Sequence, residues 1–280
     1  MTPTSYPERL TTVIDKRGAM CVGIDPHPGL LDSWELPRDA GGLERFARGV
    51  VEALGDTVAV FKPQSAFFEA YGSAGIAVLE LVLADIAAAG AISLLDVKRG
   101  DIGSTMDAYA AAYLAEGSSL AADAITITPY VGVETFAATA DLAVANGRGV
   151  YVLALTSNPE APAQQRARTG AGTTVAETVL DWAAARNAGA DPLGSVGLVV
   201  GATIDPPGID FTRLNGSILS PGVGAQGGQP EGLPAIFGAA TGLVLPSASR
   251  AVLAAGPDPD RLRREAAGLV GRMNSVRALL

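Results

Sequence analysis

Eight short aliphatic runs recur along the chain, at residues 20–24, 58–61, 92–95, 124–127, 150–155, 196–200, 217–219 and 242–245. Most are apolar on both faces, as parallel strands covered by helices must be. Helical patterns fill the intervals at 42–54, 65–89, 105–121, 133–146 and 173–187. Shorter ones lie near Phe211, at 233–240 and at 247–255. A terminal helix starts at Asp258, its beginning marked by Pro257 and Pro259. This alternation predicts an α/β fold, a single-domain (β/α)8 barrel over residues 1–280 with extra N- and C-terminal helices. An open doubly wound sheet is the alternative. No G-x-G-x-x-G follows an early strand and no strong linker divides the chain, so the closed barrel is the better reading. The Gly/Pro-rich stretches 189–194 and 221–234 read as loops between units.

Composition narrows the function. A net charge of −9 with a pI near 4.7 argues against a nucleic-acid-binding surface. The one cysteine, Cys21, allows no intrachain disulfide, which fits a reducing, cytoplasmic setting; it reads as a small buried strand residue. No signal peptide is expected at the N-terminus, and the apolar stretch 74–95 is broken by Glu80 and Asp85, so no membrane span is expected either. A single histidine, His27, rules out a multi-histidine metal cluster; flanked by Pro26 and Pro28, it reads as a loop residue without catalytic duty, a substrate-side role being the alternative.

A barrel places its chemistry just beyond the C-terminal ends of its strands. In order, those positions hold Asp25, Lys62, Asp96 with Lys98, Thr128, Thr156 with Ser157, Gly201 to Thr203, Ser220 to Gly222, and Pro246 to Arg250. The opposite ends carry no comparable set of charges. Asp96 and Lys98 are two apart, so on an extended strand end both side chains point to one side. With Asp25 and Lys62 they make an alternating array of carboxylates and ammonium groups. Lys98 beside Asp96 should stay protonated, which suits proton donation rather than Schiff-base formation. The bland alternative is an ion-pair network that stabilises the rim. A glycine-rich loop, "SPGVGAQGGQP", follows strand seven, and "PSASR" follows strand eight. Phosphate sites in barrels are often built from those two loops, and Arg250 has the planar fork to grip a phosphate.

Taken together, "GIDP", "FKPQSAFFEAYG", "LLDVKRGDIGST", "LTSNP", "SPGVGAQGG" and "SR" resemble the orotidine 5'-monophosphate decarboxylase family in its longer bacterial form, from about Cys21 to Arg250. The D-x-K-x-x-D-I-G-x-T motif is intact from Asp96 to Thr105. The resemblance implies a homodimeric barrel that converts orotidine monophosphate to uridine monophosphate and carbon dioxide in pyrimidine biosynthesis, with no metal or cofactor. It implies that Asp25 and Lys62 hold ribose hydroxyls, that Asp96 sits against the departing carboxylate, and that Lys98 protonates C6. Asp101, Ile102 and Thr105 would reach the neighbouring subunit's site. Ser157 would bind the pyrimidine edge, Pro221 to Gln226 would close over the nucleotide, and Arg250 would bind phosphate.

Related magnesium-dependent sugar-phosphate decarboxylases and aldolases share the D-x-K-x-x-D motif but carry an acidic metal ligand where Lys62 stands. They are one alternative; a non-catalytic barrel that binds phosphonucleotides is another. Arg99 reads as a rim charge, and Tyr109 with Tyr113 as helix-packing or dimer-interface residues. The connections 157–172 and 202–215 stay unexplained by the motifs.

Overall fold

In the computed structural model the eight runs become eight parallel strands: β1 (Cys21–Ile24), β2 (Val60–Pro63), β3 (Ile92–Arg99), β4 (Ala124–Ile127), β5 (Gly149–Leu155), β6 (Val196–Val200), β7 (Ile218–Pro221) and β8 (Val244–Ala248). Residues 4–278 are described; the outermost residues of the predicted span, 1–3 and 279–280, lie outside the described residues. Neighbours in sequence are neighbours in space, and β1 pairs with β8 through Cys21–Ser247 and Val22–Ala248. That last pairing closes the sheet and rules out the open doubly wound alternative.

The helices are α1 (Tyr6–Arg17), α2 (Pro28–Ser33), α3 (Ala40–Leu54), α4 (Ser65–Glu69), α5 (Gly72–Ala88), α6 (Gly103–Leu114), α7 (Ala137–Ala145), α8 (Ala161–Gln165), α9 (Val175–Arg186), α10 (Leu233–Phe237), α11 (Arg250–Leu253) and α12 (Pro259–Arg277). The first, α1, is the extra N-terminal helix expected from the sequence, while α2 and α8 match none of the expected helical spans. Helix α1 begins in a capping box, Ser5 with Glu8, which satisfies donors that a helix start leaves unpaired. Two expected spans are shorter or split. The 65–89 pattern breaks at Ala70 and Tyr71, and α5 restarts at Gly72, whose φ of +62° changes the direction of the chain there. The 105–121 pattern stops at Leu114 because Ala115 is extended.

Two apolar layers hold the barrel. Leu94, Tyr151, Val199, Leu219 and Leu245 fill its interior, while a larger layer packs strands against helices. Helix α1 joins the interior layer through Tyr6 and Leu10, and the Tyr6 and Tyr151 hydroxyls lie 2.8 Å apart. Arg9 of α1 pairs with Asp123 and donates to the Gly147 carbonyl, both just before strand starts. Helix α1 therefore closes the N-terminal end, which leaves the C-terminal end as the mouth. No described helix is long and apolar enough to cross a membrane.

Candidate active site

Beyond the C-terminal strand ends lies a cavity of about 290 Å³. Asp25, Lys62, Asp96, Lys98, Ser157, Pro221, Gln226 and Arg250 all line it, so residues far apart in sequence meet in one place. Its floor is apolar, from Leu153, Leu155, Val199 and Leu219.

Asp96 is the hub. Lys62 Nζ donates to its Oδ2 at 3.0 Å and Gln64 Nε2 to the same oxygen at 2.9 Å. Lys98 Nζ donates to Oδ1 at 2.6 Å, and the Thr126 hydroxyl donates to Oδ1 at 2.8 Å. Each carboxylate oxygen thus has two donors. Burial by itself would raise the Asp96 pKa. The Lys62 and Lys98 charges, helped by the Lys98 and Thr126 hydrogen bonds, outweigh that and hold it well below the usual carboxylate range. Lys62 is the mirror case: burial opposes its charge, but Asp96 and then Asp25 keep its pKa above the ordinary value. Asp25 Oδ1 stands 3.9 Å from Lys62 Nζ, and it has no hydrogen-bond partner among the described residues.

The local backbone is not the simple extended end that the two-residue spacing suggested. Leu95 pairs with Ile125 and Arg99 with Ile127, so Asp96, Val97 and Lys98 all stand opposite Thr126 alone. This bulge puts Lys98 at φ +43°, a left-handed conformation that costs an L-residue roughly 1–2 kcal/mol. The result is that Asp96 is buried while the Lys98 side chain remains 45% exposed at the mouth.

Arg99 is more organised than a rim charge. It pairs with Glu69 at 2.6 Å, donates to the Tyr113 hydroxyl at 3.1 Å, and lies over the rings of Tyr109 and Tyr113. Those two tyrosines thereby tie the bulge to α6. Thr128, expected at the mouth, instead supports the bulge by donating to the Lys98 carbonyl at 3.2 Å. Gly100 packs so closely there that a Cβ would stand 2.3 Å from the Thr128 carbonyl oxygen, so no larger residue fits.

Asp101, Ile102 and Thr105 do not line the cavity; Ile102 is 62% exposed. The glycine-rich loop turns tightly, with Gly224 N–H donating to the Gly228 carbonyl at 2.7 Å. Its far end is gripped from α12 by Arg272, which donates to Gln229 and to both Glu231 oxygens, holding the Glu231 pKa at about 2. The unexplained 157–172 connection contains α8, whose Gln165 accepts from Thr156 N–H at 2.8 Å and donates to the Thr156 hydroxyl at 2.9 Å. That fixes the residue before Ser157. Arg250 opens α11 at the cavity edge and forms no ion pair among the described residues. His27 precedes α2, and its ring lies 6.4 Å from that of Phe67, outside the cavity lining.

The sequence reading missed Gln64, Thr126 and Gln165. The first two left a trace, as polar residues beside or within buried aliphatic strands.

Residues 19–265 match the model of the Orotidine 5'-phosphate decarboxylase / HUMPS family. A curated Salinispora arenicola protein named orotidine 5'-phosphate decarboxylase is 59% identical over 262 residues, covering 94% of each chain. The chain belongs to this family. A solved structure from Streptomyces avermitilis superposes on this decarboxylase-family barrel with a TM-score of 0.96 at 51% identity, covering 99% of this chain and 98% of that one. The Leishmania donovani OMP decarboxylase superposes with a TM-score of 0.78 at 30% identity, covering 98% and 100%.

Proposed function

We infer that this barrel is an orotidine 5'-monophosphate decarboxylase acting in uridine monophosphate synthesis. The observation that carries this reading is the buried Asp96 held between Lys62 and Lys98 at the edge of the cavity. Loss of carbon dioxide breaks the bond from C6 to the carboxylate and leaves the electron pair on C6. Lys98 Nζ, fixed beside that carbon, stabilises the developing charge and delivers a proton to it; the lysine regains its proton from water. Asp96 stays ionised next to the departing carboxylate, because four donors make its protonation costly. Lys62 and the Asp25 oxygen, which has no partner among the described residues, are ready to hold ribose hydroxyls.

The remaining roles follow position. Ser157 meets the pyrimidine edge, the loop from Pro221 to Gln226 closes over the nucleotide, and Arg250 takes the phosphate. Energy from the distant phosphate then holds the pyrimidine in this charged field. A magnesium-dependent lyase would place an acidic ligand at the end of β2; here that position is Lys62, an ammonium lying between Asp25 and Asp96.

The enzyme works as a cytoplasmic homodimer, with Asp101, Ile102 and Thr105 reaching the partner's site. Supporting this, exposed Ile102, Tyr130 and Val131 follow the adjacent strands β3 and β4, and Asp101, next to Ile102 in sequence, does not line its own cavity. The test is Lys98→Ala: it should still bind uridine monophosphate, yet turn over orotidine monophosphate at least ~10³-fold more slowly. Turnover within tenfold of the parent would contradict the assignment.

A further inference from the structure

Thr126 interrupts an otherwise aliphatic strand, is 1% exposed, and stands where the β3 bulge breaks the β3–β4 ladder. Its hydroxyl has one proton and two close neighbours. The Lys98 backbone N–H can only donate, and it reaches Thr126 Oγ1 at 2.9 Å. The Thr126 proton must therefore point to Asp96 Oδ1, 2.8 Å away. Lys98 Nζ donates to that same oxygen at 2.6 Å. A ring results: the Lys98 backbone nitrogen, the Thr126 hydroxyl, Asp96 Oδ1 and the Lys98 ammonium. Both ends of Lys98 are thus referred to one buried hydroxyl on the neighbouring strand.

A non-glycine residue keeps a left-handed backbone only where its surroundings over-determine it. The bulge has two such restraints at Lys98. Thr128 holds the carbonyl side, through its hydroxyl at 3.2 Å, and Thr126 holds the N–H side. Only Thr126 also touches Asp96. A strand residue in this place could pair through its main chain alone in a regular ladder; the bulge removes that option and the side chain replaces it.

We propose that Thr126 is a positioning residue for decarboxylation: its hydroxyl fixes the Lys98 backbone and Asp96 together and so sets where Lys98 Nζ stands over the cavity. The inference rests on the decarboxylase reading above and adds to it a residue that acts through Lys98 rather than on the substrate.

The test compares Thr126→Val, which keeps shape and burial, with Thr126→Ser, which keeps the hydroxyl, both in the full-length protein. Displacing a reacting group by about an ångström costs on the order of 100-fold, so Thr126→Val should lower kcat by about 100-fold. Its KM for orotidine monophosphate and its inhibition constant for uridine monophosphate, which lacks the carboxylate, should change less than about threefold. Thr126→Ser should recover kcat to within about fivefold of the parent. A Thr126→Val enzyme with kcat within threefold overturns the proposal. So does one in which kcat and uridine monophosphate affinity fall together, since that marks a collapsed mouth rather than a displaced ammonium, and so does a serine variant as slow as the valine one. A crystal structure of Thr126→Val gives a readout independent of activity. Lys98 should leave its left-handed φ or its Nζ should move off Asp96; an unchanged Lys98 refutes the proposal even if the parent protein proves to have no decarboxylase activity.

Discussion

The Lys62–Asp96 pair should be strongly coupled in stability as well as in chemistry. Both side chains are 7% exposed, and their charged atoms are 3.0 Å apart. At an effective dielectric constant of about 20, two unit charges at that distance attract by about 5.5 kcal/mol. Taking both out of water offsets much of this, which leaves a coupling of roughly 2–3 kcal/mol. Asp96→Ala alone strands Lys62 in the interior with only Asp25, 3.9 Å away, and should cost about 3–4 kcal/mol. Lys62→Met should cost less, about 2 kcal/mol, because Asp96 keeps Lys98, Gln64 and Thr126. The double variant should recover the coupling and lose less than the two single changes together. Lys98→Ala, at a half-exposed position, should cost under about 1 kcal/mol while turnover falls as stated above.

Urea unfolding at constant m-value measures the parent and the four variants. The pH range follows from the directions of the two shifts. Asp96 is depressed, so its contribution is complete above the unfolded value of about 3.9 and is lost as pH falls toward its lower folded value. Lys62 is raised, so its contribution is complete below about 10.4 and is lost as pH rises through its higher folded value. The coupling should therefore be flat from about pH 5 to 9 and fade on both sides. Additivity of the two single changes to within about 0.5 kcal/mol at pH 7 would refute the reasoning.

Other expectations concern the surroundings of the array. Mixing inactive Asp101→Ala with inactive Lys98→Ala subunits should restore part of the activity, because one hybrid site receives neither change; no recovery despite proven subunit exchange contradicts the shared site. Arg272→Ala frees Gln229 and Glu231 at the end of the closing loop. It should raise KM about three- to tenfold, equivalent to roughly 1 kcal/mol, with kcat nearly unchanged in steady-state assays. Gln165→Ala removes both contacts that fix Thr156 and should raise KM similarly through Ser157; an unchanged KM shows that the 157–172 connection does not position that end of the cavity.

The barrel was legible because burial on both faces leaves a plain mark, an unbroken aliphatic run, and eight such runs with helices between them admit few topologies. The charges at the mouth were legible for the opposite reason: Asp96 and Lys62 have no place at the end of a buried strand unless they are paired or employed. What stayed hidden depends on backbone detail. The bulge at Lys98 has no glycine to announce it; the φ of +43° is borne by a lysine and held by a threonine on another strand. Gln64 and Thr126 matter because the pairing of β2 and β4 on either side of β3 aims them at Asp96, which no local pattern encodes. The contacts of Arg99 stayed hidden for the same reason: its partners Glu69 and Tyr113 lie 30 and 14 residues away. Helix α8 is only five residues long, too short to show a period.

The most direct measurement is the loss of orotidine monophosphate absorbance on addition of the purified protein in excess chelator. If Lys62, Asp96 and Lys98 carry the reaction, turnover should be the same with and without chelator, and uridine monophosphate should accumulate in equal amount. No turnover, or turnover that chelator abolishes and magnesium restores, would contradict it.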